Sequence, residues 1–462
     1  QEATESPLLK GKVISSLQNA TNSWIGYEFS DTYLITKIEW TQSSEVSKYL
    51  LGVFEGANDP SFMDAIPLYM IKEESEEDTN ELEISIKLGF KYIRYVSPNN
   101  LTVISGLKVY GLEAHDEIEE EENNKVFQAT NIPLIAIHSE KPLSSGGWRM
   151  GKDADEKVNC NIVVINKGKI EQNSPGKVRL RGNSSRNQPK KSYQIKFNEN
   201  VNLLDMPSKA KKWGLLANYM DKTLIRNLVA FKISSMLGQK YTAQCKPVDV
   251  IFNGVYDGTY ILCDKIEVGK GRVELTDSDD LENEESSSSD EGFLVVIENS
   301  WGQKESYKVT TEKGIPMTIK YPDEPEQNQK KYLKDWFDKV ERDAYDGVTD
   351  NIDIDSFSQY FILEEFCANI DSVWGSNYLT KHVNDEKLYF GPGWDFDLSL
   401  DNDRRLYPTN EKSKWVYNYG DSAGTYRDFV AQLMSIEKVL DSVKDKWKDS
   451  TAEDFTPDKI IE

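Results

Sequence analysis

The residue pattern of this chain changes period part-way along, and that change limits the folds open to it. Up to about Glu298 the apolar residues come in short aromatic and β-branched runs separated by turn residues, and from about Gln327 onward they recur at helical spacing. The first 114 residues hold five such strand runs: "SWIGYEF", "YLITKIEW", "YLLGVFEG", "FKYIRYVS" and "VISGLKVYG", with turns such as "GANDP" and "SPNN" between them. Runs of this kind build a β-sandwich of jelly-roll type. The block "HDEIEEEENN" carries one apolar residue, so a solvated acidic linker is expected over 115–126. A second region, 127–462, starts with strands and ends with helices. The fold class predicted is α+β and multidomain. The second region is expected to be two-lobed, strand-rich over about 127–300 and helix-rich over about 301–462, with a ligand cleft between the lobes.

Where strands give way to helices, Asp371, Asn377, Asp395 and Asp397 fall within 27 residues. Like charges gathered in one place need a cation or a proton. The apolar run before Asp371 reads as a helix, and "YLTKH" and "KLYFGPG" read as two hairpin-linked strands that bring Asn377 and Asp395 together. Carboxylate and amide oxygens are hard ligands that suit Mg²⁺ or Mn²⁺. An Asp left outside the metal shell can position a hydroxyl, which is how phosphoryl transfer divides its labour. Phosphate donors are expected from "RLRGNSSRNQPKKSYQIKF": backbone N–H groups of the turn from Gly182 and Asn183 to Ser185, and Lys190 or Lys191 as a point charge. Each signal also has a plain reading: an ordinary turn, a solvated lysine, an Asp capping a helix. The chain lacks H-R-D and G-x-G-x-x-G, and its Asp-to-Asn step is six residues.

The helix read in "DKTLIRNLVAFKISSMLG" has a stripe of Leu224, Leu228, Phe231, Ile233 and Leu237, with Gly238 as its stop. Asn253-Gly254 marks a hairpin. Cys245 and Cys263 lie nine residues either side of Gly254, so they face each other across strands as a disulfide or sit as two buried thiols. The segment Thr276 to Gly292 is acidic and serine-rich. It is either a solvated insertion or a phosphorylated segment at Ser286 to Ser289.

The net charge of −23 argues against a nucleic-acid partner. No run of 18 apolar residues is present, so no membrane span is expected. A mature secreted chain whose signal peptide has been removed would begin as this one does, and so would a trimmed chain. Sequons at Asn19, Asn100 and Asn183 fit a secreted or surface glycoprotein.

In "IPLIAIHSE", "RLRGNSSRNQPKKSYQIKF", "LLANYMDKTLIRN", "NGVYDGTY", "FCANIDSVWGSNYLTKH" and "GPGWDFDLSL", in that order, the second region resembles the spore-coat protein H (CotH) kinase family. The resemblance implies an atypical kinase-like domain that uses ATP and Mg²⁺ or Mn²⁺ to phosphorylate Ser or Thr of a protein substrate. It implies Asp371 as the catalytic Asp and Lys191 as the phosphate-contacting lysine. Asn377 and Asp395 would be metal ligands, with Asp397 in support. Gly182, Asn183 and Lys190 would line the nucleotide. Arg226 either reaches the cleft or pairs with Asp221, and Tyr389 either stacks on adenine or packs within its strand. Most of residues 12–112 resemble a discoidin, or coagulation-factor type C, domain through "SWIGYEFSDTYLITKIEW", "LLGVFEGANDPSF" and "FKYIRYVSPNNLTVISGLKVYG". Such domains imply either cell-surface glycans as partners or a purely structural module. The competing expectation is a non-catalytic extracellular adhesion protein with a kinase-like body.

Overall fold

The computed structural model describes residues 6–16, 23–42, 45–75, 79–98, 104–114, 125–141, 143, 156–182, 184–275, 292–298, 307–403, 415–418, 424–453 and 455–461. The expected linker block from His115 to Asn124, the serines at 286–289 and the asparagines of all three sequons lie outside the described residues. Contacts divide the chain into two compact units. One comprises Gln1–Asp205, Ala210–Ala217 and Lys246–Leu262; the other comprises Met206–Lys209, Asn218–Cys245 and Cys263–Glu462.

The first unit is mainly β, with only a short helix at Val46–Tyr49 and a 3₁₀ turn at Ser184–Asn187 among its described residues. Its N-terminal domain is a seven-stranded sheet organised by one 19-residue strand, Trp24–Gln42. Register shifts between Glu28 and Tyr33 and between Ile35 and Lys37 bend this strand. Its first part lies between Gly11–Ser15 and Gly89–Val96, and its second between Thr79–Glu83 and Ile104–Glu113. "SWIGYEF" and "YLITKIEW", expected as separate strands, are therefore one strand. A bulge, which alternation alone does not reveal, absorbs the polar step at Ser30-Asp31. Three strands lacked a clear sequence signal: Gly11–Ser15, Ile66–Met70 and Thr79–Glu83 are short, and the last alternates half-buried with exposed residues.

The same unit contains a closed seven-stranded barrel. Around it run Lys169–Leu180, Tyr193–Val201, Ala210–Leu216, Val255–Asp264, Cys245–Phe252, Leu134–Ser139 and Val158–Asn166. Leu134–Ser139 is buried along nearly its whole length, as a strand covered on both faces must be. Barrel residues Leu134, Ala136, Val163 and Ile251 share one core with Phe54, Ile93 and Tyr95 of the N-terminal sheet. Within that junction Glu55 is fully buried. Arg94 donates to its Oε2 through Nε (2.9 Å) and Nη2 (2.7 Å), and His138 Nε2 lies 2.8 Å from its Oε1. The expected hairpin is present: Asn253 (φ 50°) and Gly254 (φ 80°) both occupy the left-handed region that a two-residue type I′ turn requires. Cys245 is half-buried and Cys263 buried, and all four cysteines are thiols.

The second unit mixes an antiparallel sheet with helices. The sheet order is Lys308–Thr310, Pro316–Tyr321, Phe293–Glu298, Gly375–Lys381, Leu388–Phe390. The helix Gln327–Tyr345 opens with a capping box between Glu326 and Gln329 and buries Leu333, Phe337, Val340 and Ala344, the spacing its sequence shows. Ile354–Phe366 starts at the cap Asp353, whose carboxylate accepts from Ser356 N (2.9 Å), and is buried along most of its length. The helix expected from Asp221 begins later, at Arg226. Leu224 has a left-handed φ of 63° and lies before it, while Gly238 (φ 82°) ends it as expected. Among the described residues no helix is long and apolar enough to cross a membrane.

Candidate functional site

After the helix Ile354–Phe366 the chain turns through Ala368 (φ 48°) into a short 3₁₀ turn, Ile370–Val373, that carries Asp371 in a half-buried position. The peptide carbonyl of Asn369 accepts from Ser372 N (3.1 Å), and the Asn369 amide donates to Glu364 Oε2 (2.8 Å). Asn369 Oδ1 is buried with no hydrogen-bond partner. Asn377 follows on the strand Gly375–Lys381, paired with Ile297 and buried. Its Nδ2 donates to the carbonyls of Ser372 (2.5 Å) and Gly375 (3.0 Å), and its Oδ1 accepts from the Tyr360 hydroxyl. The sequence reading assigned that oxygen to a metal ion. The structure instead turns it inward to Tyr360, because strand alternation places residue 377 on the covered face. Asn377 braces the turn that holds Asp371.

The strand Leu388–Phe390 pairs with Leu379 to Lys381, and the chain beyond it brings Asp395 back beside the start of the neighbouring strand. Ser376 Oγ donates to Asp395 Oδ2 (3.1 Å). The expected approach of the two strands' acidic and amide residues is thus met one residue early, at Ser376. Asp395 is exposed and has a left-handed φ of 73°; Asp397 is half-buried. The Asp397 carboxyl is pushed up to about 7, first by burial and then by the negative charges of Asp395, Asp371 and Asp221. Asp397 therefore lies within electrostatic reach of Asp371, Asp395 and Asp221. Burial works to raise Asp221, but hydrogen bonds from Thr223 and Arg226 outweigh it and leave its carboxyl below the usual range.

The remaining expected residues are occupied elsewhere. Arg226 is the ion-pair partner of Asp221, and its Nε and Nη2 donate to the carbonyls of Ser399 (3.0 Å) and Leu400 (3.4 Å). Of the two readings left open for Arg226, the pair with Asp221 is the observed one. The Tyr389 hydroxyl donates to Asp385 Oδ2 (2.6 Å) and its ring stacks on His382, with centroids 4.5 Å apart. In the first unit, Gly182 has a left-handed φ of 91° shortly before the 3₁₀ turn Ser184–Asn187, and a side chain there would run into Ser185 Oγ. Asn183 lies outside the described residues. Lys190 donates to the Thr259 carbonyl and lies over the Tyr260 ring, 4.2 Å from its centroid; burial holds its ammonium below the ordinary lysine range. Lys191 Nζ donates to the Arg186 carbonyl (2.7 Å). The sequence carries no signal for Tyr360, and it assigns no role to Asn369 or Asn227, although both fall inside quoted family segments.

The model of the family described as "CotH kinase protein" matches residues 178–462, more than half of the chain. This chain belongs to the CotH family. The matched CotH residues include Asp371, Asn377, Asp395 and Asp397. No curated protein matches the chain. Three solved structures are similar to part of this CotH chain. One is CBM62 from Clostridium thermocellum Xyl5A, at 25% identity and a TM-score of 0.22, covering 24% of this chain and 99% of that one. Another is a fragment of a Bacteroides thetaiotaomicron protein titled as a chitobiase, at 14% identity and a TM-score of 0.18, covering 23% and 72%. The third is CpGH89CBM32-5 from Clostridium perfringens, in complex with GalNAc-β-1,3-galactose, at 10% identity and a TM-score of 0.17, covering 22% and 76%.

A divalent cation fits this CotH site in part. Asp395 and Asp397 offer hard oxygens whose mutual repulsion a cation would relieve. Among the described residues no group of three or more His, Cys, Asp or Glu stands ready to hold a metal ion. Mg²⁺ commonly takes only one or two carboxylates from the protein, the other positions going to water and substrate phosphates. Two carboxylates meet that requirement without Asn377.

Proposed function

We propose that this chain is an atypical protein kinase that transfers the γ-phosphoryl group of ATP to a Ser or Thr hydroxyl of a protein. The observation that carries this reading is that Asp397 lies within electrostatic reach of Asp371 and Asp395, all three within residues matched by the CotH family. Asp371 accepts the proton of the attacking hydroxyl at its carboxylate, and the 3₁₀ turn braced by Asn377 orients it. Asp395 and Asp397 would hold Mg²⁺ or Mn²⁺, which would supply neutralising charge for the triphosphate. Lys191 is the lysine that the family resemblance assigns to the phosphates. The N-terminal domain is proposed as an accessory glycan-binding module of a secreted protein, in keeping with its discoidin-like segments.

Incorporation of labelled phosphate from ATP into dephosphorylated casein, with Mg²⁺ or Mn²⁺, tests the activity. Asp371→Asn should lower it by about 10³-fold while the melting curve stays unchanged. Equal incorporation by wild type and variant would overturn the assignment of Asp371. One observation favours a second reading, that of a non-catalytic surface protein: the amide oxygen of Asn377 is engaged by Tyr360. No incorporation by wild type and no thermal shift with ATP and metal would select that reading.

A further inference from the structure

The two sequence segments most specific to the second unit, "LLANYMDKTLIRN" and "WDFD", lie far apart in the chain yet meet in the structure. Their meeting uses residues that the proposed chemistry leaves idle. Asn227, buried on the helix Arg226–Met236, accepts at Oδ1 from the backbone N of Phe396 (2.9 Å), the residue between Asp395 and Asp397. Its Nδ2 donates to Asn218 Oδ1 (3.2 Å), and Asn218 donates in turn to the Leu224 carbonyl (3.2 Å). Arg226 reaches further along the same turn to the carbonyls of Ser399 and Leu400. Asn402 Nδ2 donates to the Asp397 carbonyl (2.7 Å) and to the Met220 carbonyl (3.0 Å). Below the turn, Phe231 stacks on Trp394 (5.7 Å between centroids) and meets the buried Phe396 edge-on (6.1 Å).

The turn needs such a hold. Asp395, Leu400 and Asp401 all have left-handed φ values (73°, 51° and 64°), a conformation that non-glycine residues keep only where surrounding contacts enforce it. The side chains at 395 and 397 take their direction from the peptide at 396, so a bond on that peptide sets both.

We propose that Asn227, with Arg226 and Asn402 beside it, is a positioning residue that clamps the peptide between Asp395 and Asp397 and so fixes the spacing of the two carboxylates for a divalent cation. The proposal rests on reading Asp395 and Asp397 as the cation-holding pair. Asn227 itself touches no substrate; it acts through the backbone N of Phe396.

Mn²⁺ binding, read by electron paramagnetic resonance without nucleotide turnover, separates the clamp from the reading beneath it. The set is wild type, Asp395→Asn, Asn227→Ala, Asn227→Asp and Asn402→Ala. Asn227→Ala should weaken Mn²⁺ binding by about 10-fold or more, with a matching rise in the Mn²⁺ concentration needed for half-maximal phosphate incorporation. Asn227→Asp keeps an acceptor for Phe396 N and should recover most of the binding. Asn402→Ala loosens the turn from its other side and should weaken binding more mildly; it serves as the test if Asn227→Ala does not fold. Wild-type Mn²⁺ affinity in a folded Asn227→Ala, or in Asn402→Ala where Asn227→Ala does not fold, overturns the clamp and leaves the carboxylate reading standing. Absent Mn²⁺ binding in wild type, or binding unchanged by Asp395→Asn, overturns both.

Discussion

Two carboxylates, the buried Glu55 in one unit and the half-buried Asp397 in the other, meet opposite fates. Glu55 lies at the junction of the N-terminal sheet and the barrel. Burial works to raise its carboxyl, but His138 and Arg94 overcome that and hold it at about 2. Asp397, in the second unit, is pressed by burial and by Asp395, Asp371 and Asp221, and stands at about 7. A charge needed only to join two sheets is neutralised by side chains in place. Asp397 instead faces carboxylates of its own sign, and their repulsion adds to burial in raising it. The difference distinguishes a structural ion pair from a candidate site more sharply than the count of acidic residues, which is high throughout this chain.

The largest effect expected from breaking this comparison falls on Glu55. Glu55→Ala leaves Arg94 and His138 buried without their acceptor and should cost about 3–5 kcal/mol in urea unfolding. The same pair predicts an acid profile. Because the folded value of Glu55 lies below its ordinary 4.5, its contribution is complete above that pH and is lost as pH falls from there towards 2. A cost below 1 kcal/mol would show that the junction is held by its apolar core alone.

Next in size is stabilisation by ligand. ATP with Mn²⁺ at about 100 times its dissociation constant should raise unfolding stability by about 2.7 kcal/mol. In Asp395→Asn that gain should shrink, whereas a junction variant such as His138→Gln should keep it. Calorimetric melts with and without ligand make the comparison.

The smallest effect has the opposite sign from the first. Asp397→Asn removes a like charge and should stabilise the protein by about 1 kcal/mol near pH 7.5. The folded value of Asp397 lies above its ordinary 3.8, so the favourable contribution of its protonated form is complete below that pH. It is lost as pH rises through about 7. The gain from the variant should therefore disappear by about pH 4, and a gain that does not vary with pH would separate it from the carboxylate cluster.

Much of the fold was legible where a short stretch decides the outcome. The hairpin at Asn253-Gly254, the helix Gln327–Tyr345 and the stop at Gly238 follow from turn chemistry, capping and apolar spacing. The bent strand Trp24–Gln42 was not legible as one element, because bulges break the alternation that identifies a strand. In the site, the return of Asp395 to the start of the strand Gly375–Lys381 followed from the hairpin between them, though it meets Ser376 there. The inward turn of Asn377 did not, since it depends on Tyr360, which belongs to a helix expected only for its apolar content.

By itself the sequence determined the change from strands to helices, the turn positions and the list of oxygens available to a site, because each depends on neighbours within a few residues. Only the tertiary structure decided which charges are balanced. Glu55 takes Arg94 from 39 residues away and His138 from 83, and Asn227 reaches Phe396 across 169. Burial and the nearest charge set what a carboxylate does, and both are properties of packing that no local pattern carries.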